Sequence, residues 1–262
     1  MNYYAPAIWN YEEPDVDLLH LVDEFVSLGY NAISFTSWEL LRTDYGRVAE
    51  HLRSSDLRVA MHGNFETPVE DVRRLVEVLG DCLLTCTFDA AQVQDTRGKL
   101  YDVTRMVEYL SQLLASTDGT DLRVAVEDFP LDQTALEYYR AELAPVLSSP
   151  RYGMLVDVGH LNMRLRQWEC YREAGVGEYL ARLPLPVWEV HLHDNSGDRD
   201  EHGHFGLGNV DFAAVAAGLK AIGFSGVSTI EIAPSFHGKT PAESKPLSAE
   251  SLAQWKDMWE AG

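Results

Sequence analysis

Short apolar runs alternate with amphipathic segments along the whole chain. Eight of these runs are rich in β-branched and aromatic residues, and several are nearly continuous, which is typical of parallel strands covered on both faces. We predict strands at residues 4–9, 32–36, 58–62, 82–87, 123–127, 153–158, 188–193 and 227–232.

The segments between these strands show helical periodicity and recognisable ends. Thr67 and Glu70 have the spacing of a capping box, with a proline at the first helical position, and the helix is predicted to stop at Gly80. Similar apolar stripes end before Gly29 and Gly223. Each strand is therefore followed by a predicted helix.

The alternation of strand and helix repeats eight times without a linker or a shift in composition. Eight such units favour a closed barrel over a doubly wound sheet. We predict an α/β fold, a (β/α)8 TIM barrel, as a single domain that covers residues 1–262. The active site of such a barrel lies at the carboxyl-terminal ends of its strands, so polar residues at those ends are the first candidates for chemistry.

Composition restricts the partners of the chain. Asp and Glu outnumber Lys and Arg by 41 to 21, and the net charge is −20. Nucleic acid is a disfavoured partner, because its backbone is usually bound by a basic surface. The sequence contains neither an apolar run long enough to span a bilayer nor a leader pattern, so we expect no membrane partner and a cytoplasmic location. Cys82, Cys86 and Cys170 are expected to be reduced core thiols.

The segment 186–212 concentrates side chains that can bind metals. It starts with an apolar-rich run and ends with a Gly-x-Gly turn. Its histidines and aspartates are His191, His193, His202, His204, Asp194, Asp198, Asp200 and Asp211. A solvated acidic loop is the alternative interpretation, but His191 stands within an apolar strand, which favours a binding site.

Three acidic residues end predicted apolar strands: Glu127, Asp157 and Glu231. A carboxylate in such a place carries a large desolvation cost unless a cation or hydrogen-bond donors compensate for it. Taken singly, each acid is equally compatible with a structural salt bridge. Together with His191 they form an oxygen-rich set with one nitrogen, which suits a divalent cation.

Four strand ends carry a joint pattern: Glu ends strand five, Asp-x-x-His ends strand six, His ends strand seven before a downstream Gly-x-Gly, and Glu ends strand eight. This pattern resembles the xylose isomerase-like barrel superfamily, which includes ketose epimerases, sugar isomerases, inositol-pathway enzymes and repair enzymes of the endonuclease IV type. The resemblance implies that Glu127, Asp157, His191 and Glu231 share one metal ion (Mn²⁺, Co²⁺ or Mg²⁺, with Zn²⁺ as an alternative), with His160 beside it.

The resemblance to the epimerases implies a metal-dependent isomerase or epimerase of a small sugar or polyol-type substrate. Glu127 and Glu231 would be the catalytic residues, one removing a proton and the other returning one across an enediolate. Further substrate contacts are predicted for Trp9, Phe88, His193 and Arg199. Barrels that the chain resembles are often dimeric or tetrameric, so a homo-oligomer is one of the open alternatives.

The endonuclease branch supplies a second hypothesis, a zinc phosphodiester hydrolase. Its additional zinc positions are matched by His62, His160, Asp200 and His202, whereas the strand-four position departs, with Asp89 in place of a histidine. We predict that the four matching residues either hold a second metal or contact the substrate. Dehydratase or lyase chemistry on the same enolate, and binding of a sugar-like ligand without turnover, are further alternatives.

Overall fold

The computed structural model of the chain describes residues 2–13, 16–42, 44–90, 92–95, 98–128 and 148–261. Within these ranges, the barrel strands are β1 (Tyr3–Pro6), β2 (Ala32–Thr36), β3 (Arg58–Gly63), β4 (Leu83–Phe88), β5 (Arg123–Glu127), β6 (Tyr152–Asp157), β7 (Val187–Leu192) and β8 (Val227–Ile230). These eight parallel strands follow one another around a ring in the order β1-β8-β7-β6-β5-β4-β3-β2. A bridge between Ala7 and Ser34 closes the ring between β1 and β2. The predicted (β/α)8 barrel is confirmed.

Helices cover the outside of the barrel. They are α1 (Leu18–Ser27), α2 (Ser37–Arg42), α3 (Tyr45–Ser54), α4 (Val69–Leu79), α5 (Val103–Ser116), α6 (Val158–Gln167), α7 (Glu169–Ala181), α8 (Phe212–Ala221) and α9 (Pro241–Glu260). In α4 the buried residues recur every three or four positions, at Val72, Leu75, Val76 and Leu79, so one stripe of the helix packs on the sheet. Among the helices that the structure describes, none is both long and apolar enough to cross a membrane.

The predicted carboxyl ends of two strands are wrong by two or more residues. β1 stops at Pro6, and Ile8–Tyr11 forms a 3₁₀ helix where the prediction continues the strand to residue 9. β8 stops at Ile230 instead of residue 232, although the backbone N–H of Glu231 still donates to the carbonyl of Leu192 on β7. Both differences lie at the mouth of the barrel, where the chain turns away from the sheet.

The predicted capping box at the start of α4 is also wrong. Pro68 is the N-cap residue, and no side chain caps the helix. The hydroxyl of Thr67 instead pairs with that of Ser37 at 3.0 Å. A complete capping box is present at α9, between Thr240 and Glu243. α4 begins one residue later than predicted, so Thr67 falls outside the capping position.

Two of the three cysteines lie in the described core. Cys82 and Cys86 are buried free thiols, as predicted. Burial raises the pKa of the Cys86 thiol well above its usual value, and the charge of Glu189 raises it further. The side chain of Cys170 lies outside the described residues.

A second capping box at α2 places a carboxyl group in the interior. The N–H of Thr36 donates to Oε2 of Glu39 at 2.6 Å, and the N–H of Glu39 donates to Oγ1 of Thr36 at 3.2 Å. The side chain of Glu39 also meets that of Glu12. Burial raises the pKa of Glu39, the hydrogen bond from Thr36 lowers it, and the charge of Glu12 raises it again, to about 8. The folded chain therefore keeps a proton on Glu39 at neutral pH.

We expect Glu39→Gln to weaken the pH dependence of stability. From pH 4.5, the ordinary pKa of the group, to about pH 8, the folded chain holds a proton that the unfolded chain has released. The free energy of unfolding therefore falls as the pH rises through this window. Gln keeps the hydrogen bond from Thr36 and has no proton to lose. Between pH 5 and 8.5, the free energy of unfolding measured with urea should therefore fall by about 3 kcal/mol less in Glu39→Gln than in the unaltered chain.

The control for this prediction is Glu50→Gln, a change at an exposed position of α3. It should leave the dependence of unfolding free energy on pH as it is in the unaltered chain. If the free energy of unfolding fell equally in Glu39→Gln and Glu50→Gln between pH 5 and 8.5, the raised pKa of Glu39 would be contradicted.

Helix α9, from the last part of the chain, forms hydrogen bonds with the segment between β1 and β2. The hydroxyl of Tyr30 pairs with Oγ of Ser248 at 2.6 Å, across 218 residues of sequence. Nζ of Lys245 donates to Oε2 of Glu24 at 2.6 Å. These contacts accompany the pairing of β1 with β8, which we call the seam of the barrel because it joins the first strand to the last. The seam is therefore stabilised by both the sheet and the helix layer.

Candidate metal centre and active site

The carboxyl-terminal ends of β5 to β8 bring together the predicted metal ligands. Ligand atoms of Asp157, His191 and Glu231 all lie within 4.8 Å of one another, and so do those of Glu127, Asp157 and His160. Nδ1 of His191 is 2.9 Å from Oε2 of Glu231, and Nδ1 of His160 is 2.9 Å from Oε1 of Glu127. Asp157 belongs to both groups, so the two groups form one continuous site.

The close atoms of this site do not satisfy one another. Oε2 of Glu231 and Nδ1 of His160 are buried, and within the described ranges neither makes a hydrogen bond of good geometry. Buried polar atoms without such bonds are costly unless another partner is present. A divalent cation is a suitable partner for Oε2 of Glu231, because carboxylates are ligands that such cations accept. The residues therefore fit a metal ion.

Burial and charge pairing inside the barrel mouth shift the pKa values of its acidic groups. Burial acts to raise the pKa of Asp157, but His160 and His193 outweigh it and hold the pKa well below the usual range. Burial likewise opposes ionisation of Glu231, and His191 lowers its pKa to about 2. The pKa of Glu127 is raised, because burial outweighs the charge of His160. The two glutamates thus lie in environments of opposite effect.

Asp157 both ends β6 and caps α6. Its Oδ1 accepts the backbone N–H of His160 at 2.8 Å and Nε2 of His193 at 3.1 Å. Its own backbone N–H donates to Oδ1 of Asp128 at 3.1 Å. Capping turns the chain so that His160 stands one helical turn further on over the same end of the barrel. The Asp-x-x-His spacing is therefore a strand-to-helix turn that presents two ligand side chains side by side.

Asp128 is anchored by two residues that the sequence did not single out. Arg164 of α6 and Tyr179 of α7 both donate to its Oδ2, the tyrosine at 2.6 Å, and all three side chains are buried. The network ties the end of β5 to the helices after β6, and through Asp128 it reaches the backbone of Asp157. Arg164 occurs in a helix rich in polar residues, where the sequence contains no signal for a distant buried partner.

Asp194 organises the loop that follows β7. Its carboxylate accepts four backbone N–H groups at 2.9 to 3.0 Å. They belong to Asn195, Gly206, Gly208 and Val210. A Cβ at Gly208 would lie 2.1 Å from the carbonyl oxygen of Asn195, so packing requires a glycine there, whereas Gly206 adopts a positive φ of 88°. Asp194, counted above among the metal-capable aspartates, uses both oxygens to hold this loop.

The loop carries a third group of ligand atoms. His193, Asp200 and His202 offer atoms within 4.8 Å of one another, and the two imidazole rings are stacked at 4.1 Å. Oδ2 of Asp200 lies 3.1 Å from Nε2 of His202 and 3.3 Å from Nε2 of His160. Burial alone would lower the pKa of His202, but Glu231 and Asp200 raise it to about 9. Of the predicted set His62, His160, Asp200 and His202, the last three therefore lie together with His193, whereas His62 belongs to another group.

A fourth group lies on the opposite side of Glu127. It combines that glutamate with His62, near the end of β3, and Asp89, directly after β4. Nε2 of His62 is 3.0 Å from Oδ1 of Asp89, and Nδ1 is 3.0 Å from Oγ1 of Thr87. The indole of Trp9 stacks on the His62 ring at 5.9 Å. Asp89 thus occupies the place at which a histidine was absent from the sequence pattern.

Residues 22–258 match the family model described as the xylose isomerase-like TIM barrel. The chain belongs to this family. The resemblance read from the strand ends is confirmed. An uncharacterised protein of Methanocaldococcus jannaschii is 30% identical over 125 residues, which are 47% of this chain. The match covers only 41% of the length of that relative.

Solved structures share the xylose isomerase-like fold at low sequence identity. D-psicose 3-epimerase from Clostridium cellulolyticum H10, solved with D-tagatose, has a TM-score of 0.74 and 11% identity, over 98% of this chain and 99% of that one. An L-ribulose 3-epimerase has a TM-score of 0.72 and 18% identity, over 100% and 95%. The IOLI protein with a binding zinc atom has a TM-score of 0.72 and 15% identity, over 99% and 100%. These similarities establish the common fold.

Two predicted substrate contacts of this xylose isomerase-like barrel lie apart from the ligand groups. Phe88 is fully buried and packs with Phe65 and Tyr109. The side chain of Arg199 is 81% exposed and its Nη2 lies 3.4 Å from Oε1 of Glu201. Trp9 and His193, by contrast, contact ligand side chains directly.

Glu189 is a site residue that the sequence analysis missed. It is fully buried on β7, two positions before His191, and its Oε1 lies 3.5 Å from Nε2 of that histidine. Because side chains alternate along a strand, Glu189, His191 and His193 share the inner face of the barrel. The same alternation in the sequence was the signal that could have identified it.

Proposed function

We propose that this barrel is a divalent-metal-dependent isomerase or epimerase of a small sugar or polyol-type substrate. The observation that carries the proposal is the convergence of Glu127, Asp157, His191 and Glu231 at the ends of four neighbouring strands. The proposal is supported by the fold, which this chain shares with a D-psicose 3-epimerase and an L-ribulose 3-epimerase.

The four converging residues would hold the cation, which could be Mn²⁺, Co²⁺, Mg²⁺ or Zn²⁺. A bound divalent cation supplies Lewis-acid polarisation of the substrate carbonyl, which acidifies the neighbouring C–H. Glu127 on β5 and Glu231 after β8 flank Asp157 and His191 in the order of the sheet. One glutamate accepts the proton from carbon and the other returns one from the other side.

The remaining side chains of the mouth position the substrate. His160 lies within hydrogen-bond distance of Glu127, so it is placed to hold a substrate hydroxyl beside that glutamate. Trp9 packs against His62 and lies 6.3 Å from the His191 ring. Its indole forms an apolar wall next to the ligand atoms, where it excludes water and presents a flat surface to the C–H groups of a sugar.

The test is a screen of ketopentoses and ketohexoses in D₂O with the metal-loaded protein, followed by NMR. We expect an epimer, or an aldose–ketose isomer, with solvent deuterium at the carbon that lost its proton. EDTA should abolish the reaction, and Mn²⁺ or Co²⁺ should restore it. A metal-loaded protein that exchanges no carbon-bound hydrogen in any sugar of the screen would contradict the proposal.

A zinc phosphodiester hydrolase of the endonuclease IV kind is the second candidate. A specific observation favours it, because further groups of ligand atoms adjoin the central one. These are His62, Asp89 and Glu127 on one side, and His193, Asp200 and His202 on the other. The net charge of −20 opposes binding of a polyanion, so we place this candidate second. Two or three zinc ions per chain together with cleavage of a chromogenic phosphodiester would reverse the order.

A further inference from the structure

Glu189 is a buried acid to which the proposed chemistry assigns no role. Its side chain has an exposed fraction of 0% and projects into the barrel interior below the ligand groups. Placing a carboxylate there costs several kcal/mol of desolvation unless its oxygens have partners. The partners that it has therefore indicate what the group does.

Two threonines from different strands hold the Glu189 carboxylate. Oγ1 of Thr85 on β4 donates to Oε2 at 2.8 Å, and Oγ1 of Thr229 on β8 donates to Oε1 at 2.7 Å. One hydroxyl is engaged with each oxygen, so the plane of the carboxylate is fixed while each oxygen keeps a lone pair. Nε2 of His191 also lies close to the carboxylate, 3.5 Å from Oε1.

The imidazole of His191 consequently lies between two carboxylates. Nε2 points inward to Glu189 and has no hydrogen-bond partner of good geometry among the described residues. Nδ1 points to the mouth, 2.9 Å from Oε2 of Glu231. A shift of about 0.5 Å brings Nε2 within ordinary hydrogen-bond distance of the inner carboxylate.

We propose that Glu189 is the positioning residue of His191. Its carboxylate accepts a hydrogen bond from Nε2–H, which fixes the ring and leaves the lone pair of Nδ1 directed at a cation in the mouth. A histidine ligand requires one nitrogen without a proton, and the partner of the other nitrogen selects which one that is. The inference rests on the proposed function, because it requires a metal at the His191 site.

The test measures binding of Mn²⁺ and Co²⁺ by isothermal titration in the unaltered chain and in Glu189→Gln. We expect the variant to bind 10- to 100-fold more weakly, which is the usual loss when a carboxylate behind a histidine ligand is removed. The visible spectrum of bound Co²⁺ should also change, since the geometry around the ion depends on the His191 ring. A purely structural role of Glu189 would lower the melting temperature and leave both readouts unchanged.

Two further variants keep the result interpretable. Thr229→Val removes one hydroxyl from Glu189 but keeps its charge, so we expect a smaller loss of metal affinity, about 3- to 10-fold. If Glu189→Gln does not fold, Thr229→Val provides the same test of metal affinity. Tyr30→Phe removes a buried hydrogen bond to Ser248 far from the metal, and should lower stability with no effect on metal affinity.

The outcomes separate the two proposals. Equal affinities and identical Co²⁺ spectra in the unaltered chain, Glu189→Gln and Thr229→Val would overturn the positioning role alone. Failure of the unaltered chain to bind Mn²⁺, Co²⁺ or Zn²⁺ would overturn the metal-dependent function, and the role of Glu189 with it.

Discussion

Glu127→Gln and Glu231→Gln are each expected to lower turnover by about 10²- to 10⁴-fold, the range for loss of a general acid or base. Glutamine keeps an oxygen that can face a cation, but it cannot take up or release a proton. Both side chains lie at the mouth with a small exposed fraction, and neither fills the hydrophobic core. The melting temperature should therefore change little.

A more specific prediction concerns the exchange of the carbon-bound hydrogen of the substrate with solvent deuterium. Because Glu127 and Glu231 lie on either side of Asp157 and His191, each is expected to act on one face of the reacting carbon. Removal of one leaves the other able to take and return a proton on its own face. We expect each variant to wash solvent deuterium into only one of the two epimers, as followed by NMR in D₂O, far faster than it interconverts them.

The matched control is Glu178→Gln, at a surface position of α7 where the carboxylate pairs with Arg182. It should retain the full rate of epimerisation. Undiminished epimerisation in both Glu127→Gln and Glu231→Gln would remove the catalytic assignment, whatever the metal content of the protein.

The second large effect is expected for Asp194→Ala. The change leaves four backbone N–H groups of the loop after β7 without their acceptor. Unsatisfied donors cost about 1–3 kcal/mol each when they stay buried, and opening of the loop limits the sum. We expect a loss of about 4 kcal/mol, or about 10 °C in melting temperature.

Hydrogen exchange of residues 194–210 distinguishes a local from a global effect of Asp194→Ala. The loop amides should lose protection before the strands do, because the strands keep their own ladder. Asp198→Ala is the control in the same loop, where the side chain is 62% exposed and pairs with Arg166. Its stability should stay within about 0.5 kcal/mol of the unaltered chain. Equal melting temperatures for the two variants would contradict the role of Asp194.

Hydrophobic patterning predicted the barrel because each strand is buried on both faces and therefore reads as an apolar run. The same reason explains the error at β1. Ile8 and Tyr11 are fully buried, although they belong to a 3₁₀ helix that follows the strand. Apolar character reports burial, and it does not distinguish an extended segment from the turn that follows it.

The candidate site could be predicted where chemistry coincides with a strand end. Glu127, Asp157, His191 and Glu231 were found because ionisable residues interrupt apolar runs at positions that a barrel brings together. The role of Asp194 could not be found in this way, since a carboxylate that binds backbone amides has the same sequence signature as one that binds a metal.

Partners contributed by distant segments were the least accessible to sequence reasoning. Arg164 and Tyr179 meet Asp128 only because α6 and α7 cross the end of β5, and nothing in their local sequence specifies that crossing. Phe88 shows the reverse case. Its position at the end of β4 suited a substrate contact, but strand alternation turns its ring outward to the helices.

The seam of the barrel has a consequence for the synthesis of the chain. β1 pairs with β8, and Tyr30 is locked to Ser248, which follows it by 218 residues. On the ribosome, β1 therefore emerges long before the strand that covers its outer edge has been made. An uncovered edge strand is a template for other chains, so the nascent protein is exposed to aggregation until β8 and α9 arrive. A circular permutant opened elsewhere in the ring would turn this late, distant closure into an early, local one.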